Sequence, residues 1–296
     1  MTNYLRPLFL LAVIVTLSIE ANAASFYASS RDSLYLVDTD AQTTTLVGSL
    51  GEIGPEIQLT PDEATILLPD RTGNLLSFDS ATAASTGSVA INFPSNPTPL
   101  STATALEYVG STLYASFDQA GPETDPGLLG TLDPATGATT AIGTLTGMNA
   151  PSGGFAYDGG TMYAVSSADS VFSELYTINL GTGAATKIAN ITFAGAQVYA
   201  MTALAIVDGV AYTKSNRAVG GVNEQMLYSL DLATGQLTEV FDTGQELVAF
   251  TSAPLVPAAP PASTTPVPTI SAYGLALTML GLLLIAGRRL RAVVRS

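Results

Sequence analysis

The chain has 296 residues, of which 47% are hydrophobic and 11% charged, with no cysteine, no histidine and a formal net charge of −14. Lack of cysteine excludes disulfides, thiolate metal sites and cysteine nucleophiles. Lack of histidine removes the commonest general base, the commonest metal ligand and any Ser-His-Asp triad. From Ala24 to Pro266 there are 23 Asp or Glu against five Lys or Arg, an excess of 18 negative charges. Such a surface repels phosphate backbones, so nucleic acid is not an expected partner.

The N-terminus reads MTNYLRPLFLLAVIVTLSIEANA. Arg6 precedes an apolar run from Pro7 to Leu17, and Ala21-Asn22-Ala23 supplies a small-x-small cleavage pattern. This is the layout of a secretory signal peptide over residues 1–23, removed after Ala23. At about 11 residues the apolar run is too short for a retained span.

From residue 24 to 252 the chain repeats itself. Five segments align, starting at Leu34 (LYLVDTDAQTTTLVG), Leu75 (LLSFDSATAASTGSV), Leu128 (LLGTLDPATGATTAIG), Leu175 (LYTINLGTGAATKIA) and Leu227 (LYSLDLATGQLTEV). Each alternates apolar and polar residues, reaches Asp38, Asp79, Asp133, Asn179 or Asp231, turns through Thr, Gly or Ala, and alternates again. That is a hairpin pattern with its turn chemistry in the short loop. Ahead of most hairpins lies a second strand pair, as in ALEYVGSTLYASF from Ala105, GFAYDGGTMYAVSS from Gly154 and ALAIVDGVAYTKS from Ala203. Four short strands in roughly 40–50 residues are the content of a β-propeller blade.

The expected fold is therefore all-β: a propeller of five blades, closed by a C-terminal strand. FYASSRDSLYLVD at the start lacks a leading strand, and an orphan strand from Leu247 to Ser252 is there to supply it. A sixth blade would require a further unit around Ile91–Pro99 (INFPSNPTP), and a two-sheet sandwich is the other architecture these strands allow. The second blade fits least, because EIQLTPDEATILLPD, residues 56–70, lacks the tyrosine of the others.

The recurrent Asp and Asn suit side chains that accept hydrogen bonds from their own turn. Asp38-Thr39-Asp40 has acidic spacing but lacks the further ligands of a calcium loop. Tyr114, Tyr163, Tyr212 and Tyr35 read as matching positions that fill space between sheets. Glu56, Glu107 and Asp118 are the carboxylates to examine for an axial metal. No phosphate-binding glycine loop or nucleophile elbow occurs.

Residues 253–266 are rich in Pro, Ala, Ser and Thr and form an extended spacer. Beyond it, Ile270 to Gly287 is almost wholly apolar and long enough to cross a bilayer as a helix. Arg288, Arg289, Arg291 and Arg295 follow, and such a basic stop stays on the cytoplasmic side. The block Val267-Pro268-Thr269-Ile270-Ser271-Ala272-Tyr273-Gly274, with this helix and basic tail, resembles the C-terminal protein-sorting signal of the IPTL type, which reads Ile-Pro-Thr-Leu-Ser-Glu-Trp-Gly. Pro268, Thr269, Ser271 and Gly274 match outright, Val267, Ile270 and Tyr273 conservatively, and Ala272 departs.

The resemblance spans only the last 30 residues. It implies an exosortase-type membrane transpeptidase of a Gram-negative bacterium as partner, passage through the inner membrane, and delivery to the cell surface or an exopolysaccharide matrix. The expected protein is thus an exported, non-enzymatic binding or structural module without a cofactor. The alternative is a secreted propeller hydrolase of the calcium-dependent lactonase kind, with an axial carboxylate site.

Overall fold

A computed structural model describes residues 24–51, 54–93, 100–119, 126–168, 171–215 and 221–252. The expected signal peptide, spacer and sorting signal, with the apolar segment 270–287 and its arginines, lie outside the described residues. Among the described residues there is no α-helix, and no helix long and apolar enough to cross a membrane.

The described strands form five four-stranded antiparallel sheets and one small hairpin. Blade 1 contains β1 (Ser25–Ser29), β2 (Ser33–Asp38) and β3 (Thr43–Ser49). Blade 2 contains β4 (Gln58–Leu59), β5 (Thr65–Pro69), β6 (Asn74–Asp79) and β7 (Ser85–Ala90). In blade 3 these are β8 (Leu100–Val109), β9 (Thr112–Gln119), β10 (Leu128–Leu132) and β11 (Thr139–Thr144). Blade 4 has β12 (Ser152–Asp158), β13 (Thr161–Ser166), β14 (Glu174–Ile178) and β15 (Ala185–Asn190). The small hairpin β16 (Thr192–Phe193) and β17 (Ala196–Gln197) precedes blade 5, which contains β18 (Met201–Val207), β19 (Val210–Ser215), β20 (Met226–Leu230) and β21 (Leu237–Asp242). Finally β22 (Ala249–Phe250) returns to pair antiparallel with β1, Ala28 opposite Phe250 and Ser29 opposite Ala249.

The closing strand expected at 247–252 is thus in place, and blade 1 is completed by the two ends of the body. Strand β7 ends at Ala90 and β8 begins at Leu100, so the interval has no room for a sixth blade. The weak second repeat does form β4 and β5, with Gln58 opposite Leu67.

Five apolar clusters hold the ring, one at each blade–blade interface. Leu34 meets Ile57 and Leu59 between blades 1 and 2. Leu67 and Leu75 meet Leu106 and Phe117 between blades 2 and 3. Leu129 meets Phe155 and Tyr176 next, and Val165 and Leu175 meet Leu204 and Tyr228 after that. Phe26 and Val37 meet Ala205, Tyr212 and Phe250 where the ring closes. The outermost strands face solvent, β7 and β11 with exposed Ser and Thr, which blunts the edges against further pairing.

The hairpin turns lock the rim. Asp38 Oδ1 accepts from the amides of Asp40 and Ala41, Asp79 Oδ1 from those of Ala81 and Thr82, and Asp231 Oδ1 from those of Ala233 and Thr234. Asp133 and Asn179 cap their turns likewise. Side-chain and backbone hydrogen bonds from Thr82 and Thr136 hold Asp79 and Asp133 below the usual carboxylate range. Four residues after each capping residue the backbone turns left-handed, at Gln42, Ala83, Gly137, Gly183 and Gly235. Each of the glycine turns lies against the outer strand of the preceding blade. A Cβ on Gly137 would sit 1.9 Å from the Ala90 carbonyl, and one on Gly235 2.4 Å from that of Asn190.

Three substitutions probe this geometry. Gly137→Ala should cost about 3 kcal/mol or more in chemical denaturation, since strain and overlap combine. Gly159→Ala, left-handed but with nothing within 4 Å of the added carbon, should cost only about 1–2 kcal/mol. Phe250 is 2% exposed and stands edge-on to Phe26 at 5.1 Å. Phe250→Ala should lower stability by about 3–5 kcal/mol in the same assay, because the cavity opens in the closing blade.

Candidate functional site

Equivalent positions in the blades are defined by register. Tyr114, Tyr163 and Tyr212 pair with Thr131, Thr177 and Ser229, each two residues before its capping Asp or Asn. In blade 1 the residue so placed is Tyr27, opposite Leu36, and in blade 2 it is Leu67, opposite Ser77. The sequence alignment that put Tyr35 with Tyr114 is therefore corrected. Tyr35 stands on the third strand, three residues before Asp38, where Tyr176 and Tyr228 stand before Asn179 and Asp231. The cause is the missing leading strand of the first repeat, which shifts the apparent frame by one strand. All of these tyrosines do contact inter-blade clusters.

On the innermost strands, the residues opposite this position occupy equivalent places in the five blades. In blades 4 and 5 they are Ala156 and Ala205, opposite Tyr163 and Tyr212. In blade 1 the place is held by Thr251, whose amide donates to the Tyr27 carbonyl. Blades 2 and 3 put Gln58 and Glu107 there. Two residues before Gln58, and on the same face of the chain, is Glu56. Small residues are frequent elsewhere on the inner strands, where Ala103, Ala105, Gly154, Ala203 and Ala249 are buried. At Gly154 a Cβ would lie 2.5 Å from the Leu204 amide nitrogen, so β12 and β18 touch backbone to backbone.

Glu56 and Glu107 are 1% and 4% exposed. Burial pushes the Glu56 carboxyl well above its ordinary value; the Glu107 charge raises it further, while amides of Ile57 and Phe250 oppose the rise. The Ile57 amide donates to Glu56 Oε1 at 2.9 Å. Burial likewise pushes Glu107 up to about 8, against hydrogen bonding from Ser252 and the Tyr108 backbone. Ser252 belongs to the end of the closing strand, so blades 1, 2 and 3 meet here. Gln58 Nε2 donates to the Leu59 carbonyl at 3.2 Å, which fixes the orientation of the amide. Glu56 Oε2 and Gln58 Oε1 are buried and have no hydrogen-bond partner, while the Ser252 hydroxyl lies beside the Glu107 carboxyl.

Of the three carboxylates singled out from sequence, two come together at the axis. Asp118, on β9 opposite Thr102, is half-buried, and among the described residues no three of His, Cys, Asp and Glu gather to hold a metal. Gln58 and Ser252 carried no motif in the sequence. The available signal was positional: a polar residue where other repeats have alanine.

A second buried polar group is Lys214 on β19, 1% exposed. Its Nζ donates to the Glu224 and Ser215 carbonyls and so ties the blade-5 loop to the sheet. Burial lowers its pKa to about 8, with Glu224 and Glu246 opposing.

No protein-family model matches the chain, and no curated protein sequence matches it. Solved structures with a similar fold include the WD40 β-propeller domain of Doa1 (13% identity over 76% of this chain and 68% of that one, TM-score 0.40). A protein of unknown function from Bacteroides thetaiotaomicron is 17% identical over 65% of this chain and 54% of that one, with TM-score 0.44. The computationally designed Ika8 protein is 14% identical over 76% and 60%, with TM-score 0.37. The chain thus spans about half to two thirds of the length of these structures.

Lys214 makes a prediction about alkaline pH. Its folded-state pKa lies below that of the unfolded chain, so between about 8 and 10.5 the unfolded state binds more protons and stability rises with pH. Urea midpoints measured at pH 8 and pH 10 should therefore differ more in the wild type than in Lys214→Met, whose slope over that window should flatten.

Proposed function

We propose that this chain is an exported, non-enzymatic module: a five-bladed propeller carried to the cell surface or an exopolysaccharide matrix by its C-terminal sorting signal. The observation that carries this reading is the order of its last 30 residues, a VPTISAYG block, an apolar stretch and an arginine tail, in a chain that opens with an export signal. The fold is consistent with it in one respect. The last strand needed for closure ends at Phe250, before the proline-rich spacer begins in the sequence, so every blade is complete without the residues beyond it. Its partners on this reading are an exosortase-type transpeptidase and the inner membrane in transit, then surface polysaccharide or protein. The acidic surface keeps such a body soluble outside the cell.

A second reading, a propeller hydrolase with axial carboxylates, is favoured by the convergence of Glu56 and Glu107. Their burial weighs against it, because a catalytic carboxylate must reach its substrate.

An epitope tag inserted just before Val267, followed by cell fractionation, tests the leading reading. The tag should appear in membrane, surface or medium fractions, on a protein whose first residue is Ala24. A cytoplasmic tag on a chain still beginning at Met1 would overturn it.

A further inference from the structure

The chain has no histidine, so the side chain that ordinarily titrates between pH 5 and 8 is missing. Two carboxyls stand where they can take its place. Glu56 and Glu107 are almost wholly buried, and each reaches the strand that closes the ring. Glu56 accepts a hydrogen bond from the Phe250 amide, and Glu107 one from the Ser252 hydroxyl. That strand has few other ties. Beyond the pairing of Ala249 and Phe250 with β1, the Val248 amide donates to the Ser29 carbonyl and the Thr251 amide to the Tyr27 carbonyl.

Among the described residues no positive group answers the pair. Lys214 is held by backbone carbonyls of blade 5, Lys187 pairs with Glu174, Arg31 with Glu246, and Arg71 is exposed. The other titratable side chains on the surrounding strands are engaged elsewhere. Tyr27 meets Ser80, Asp79 and Glu63, and Tyr108 meets Asp62 and Asp133. Asp70 is bonded to Thr72 and Asn74 of its own turn. Tyr114, opposite Glu107, packs between blades 3 and 4, and Asp118 stands farther along β9, opposite Thr102. The charge that raises Glu56 is that of Glu107. A carboxylate buried without a counter-charge is so costly that the group keeps its proton instead.

We infer that the seam of the ring is a pH-sensitive latch: as uncharged acids Glu56 and Glu107 let the closing strand seat against blades 2 and 3, and their ionisation loosens it. Loss of one proton leaves a desolvated charge beside residues 250–252, and loss of the second sets two like charges against each other. In the unfolded chain a glutamate ionises at about 4.3; in the folded chain both carboxyls hold their protons to higher pH. Their contribution to stability is whole below the unfolded value and falls as pH rises, for Glu107 until about 8. The capping carboxylates Asp79, Asp133 and Asp231 are held below the usual range and act only in acid. Lys214 acts above about 8, which leaves the window between to this pair. The latch depends neither on where the protein resides nor on any hydrolytic activity.

Urea unfolding of the full chain between pH 5 and pH 8 tests it. The unfolding equilibrium constant should rise about tenfold per pH unit for one proton, and up to about a hundredfold where both titrate. Glu56→Gln and Glu107→Gln, which stay uncharged, should each remove about one proton from that slope and be at least as stable as the wild type at pH 8. Ser252→Ala takes away a hydrogen bond that favours ionised Glu107, so it should extend the fall to higher pH; it serves if either glutamine variant fails to fold. Hydrogen exchange locates the loosening. From pH 6 to pH 8 the protection factors of the Val248 and Thr251 amides should fall more than those of β13. A stability profile flat or rising over pH 5–8 would overturn the latch. So would glutamine variants that keep the wild-type slope, or protection lost equally in every blade.

Discussion

Each blade of this protein is a twisted four-stranded sheet with two faces to cover, and no blade covers more than one of them by itself. Burial comes only from the neighbours, so every blade–blade interface depends on the ring being complete. The pairing of β22 with β1 is where that condition is met. Phe250 enters there between Phe26 and the blade-5 cluster, and the two ends of the body become adjacent strands of one sheet. With closure in place the five apolar clusters form an unbroken circuit, and the exposed outer strands remain as short polar edges.

The same closure dictates what happens at the rim and at the axis. At the rim, the five capped turns repeat one backbone solution, and the glycines at 137, 183 and 235 let the turn of one blade approach the outer strand of the blade before it. Gln42 and Ala83 adopt the same left-handed geometry without glycine; Gln42 adds a contact from its side chain to the Val240 carbonyl, at the junction of blades 5 and 1. On the inner strands, alanine and glycine recur at equivalent positions of several blades. Blades 4 and 5 meet through Gly154 and Ala203. Blades 2 and 3 instead place Glu56, Gln58 and Glu107 there, and the closing strand adds Ser252.

That exception gives the axis a chemical character the rest of the body lacks. Elsewhere the acidic residues cap turns or face solvent, where water and neighbouring amides satisfy them. Inside the ring the same residue type is desolvated, buried among apolar side chains. Lys214 shows the contrasting case: equally buried, but answered by two carbonyls of its own blade.

The blade plan was legible in the residue order. Alternation over short segments and a capping Asp or Asn recur five times, with a glycine turn in three of them, and these are local rules acting over a few bonds. The closing strand was legible too, from one unpaired strand at each end. The frame of the first repeat was not, since Tyr35 and Tyr27 both lie in alternating strands and only pairing partners distinguish second strand from third.

Glu56 and Glu107 were candidates from the sequence, but their meeting with Gln58 and Ser252, and the separation of Asp118 from them, depended on tertiary structure. Glu56, Gln58, Glu107 and Ser252 are distant along the chain except for one pair, and nothing in their local spacing marks them as neighbours. The amino-acid order by itself determined five hairpin repeats and their capped turns, because each of these is written in contiguous residues. Only ring closure decided which side chains share the axis, because that proximity arises from blade-on-blade stacking summed around the whole circle.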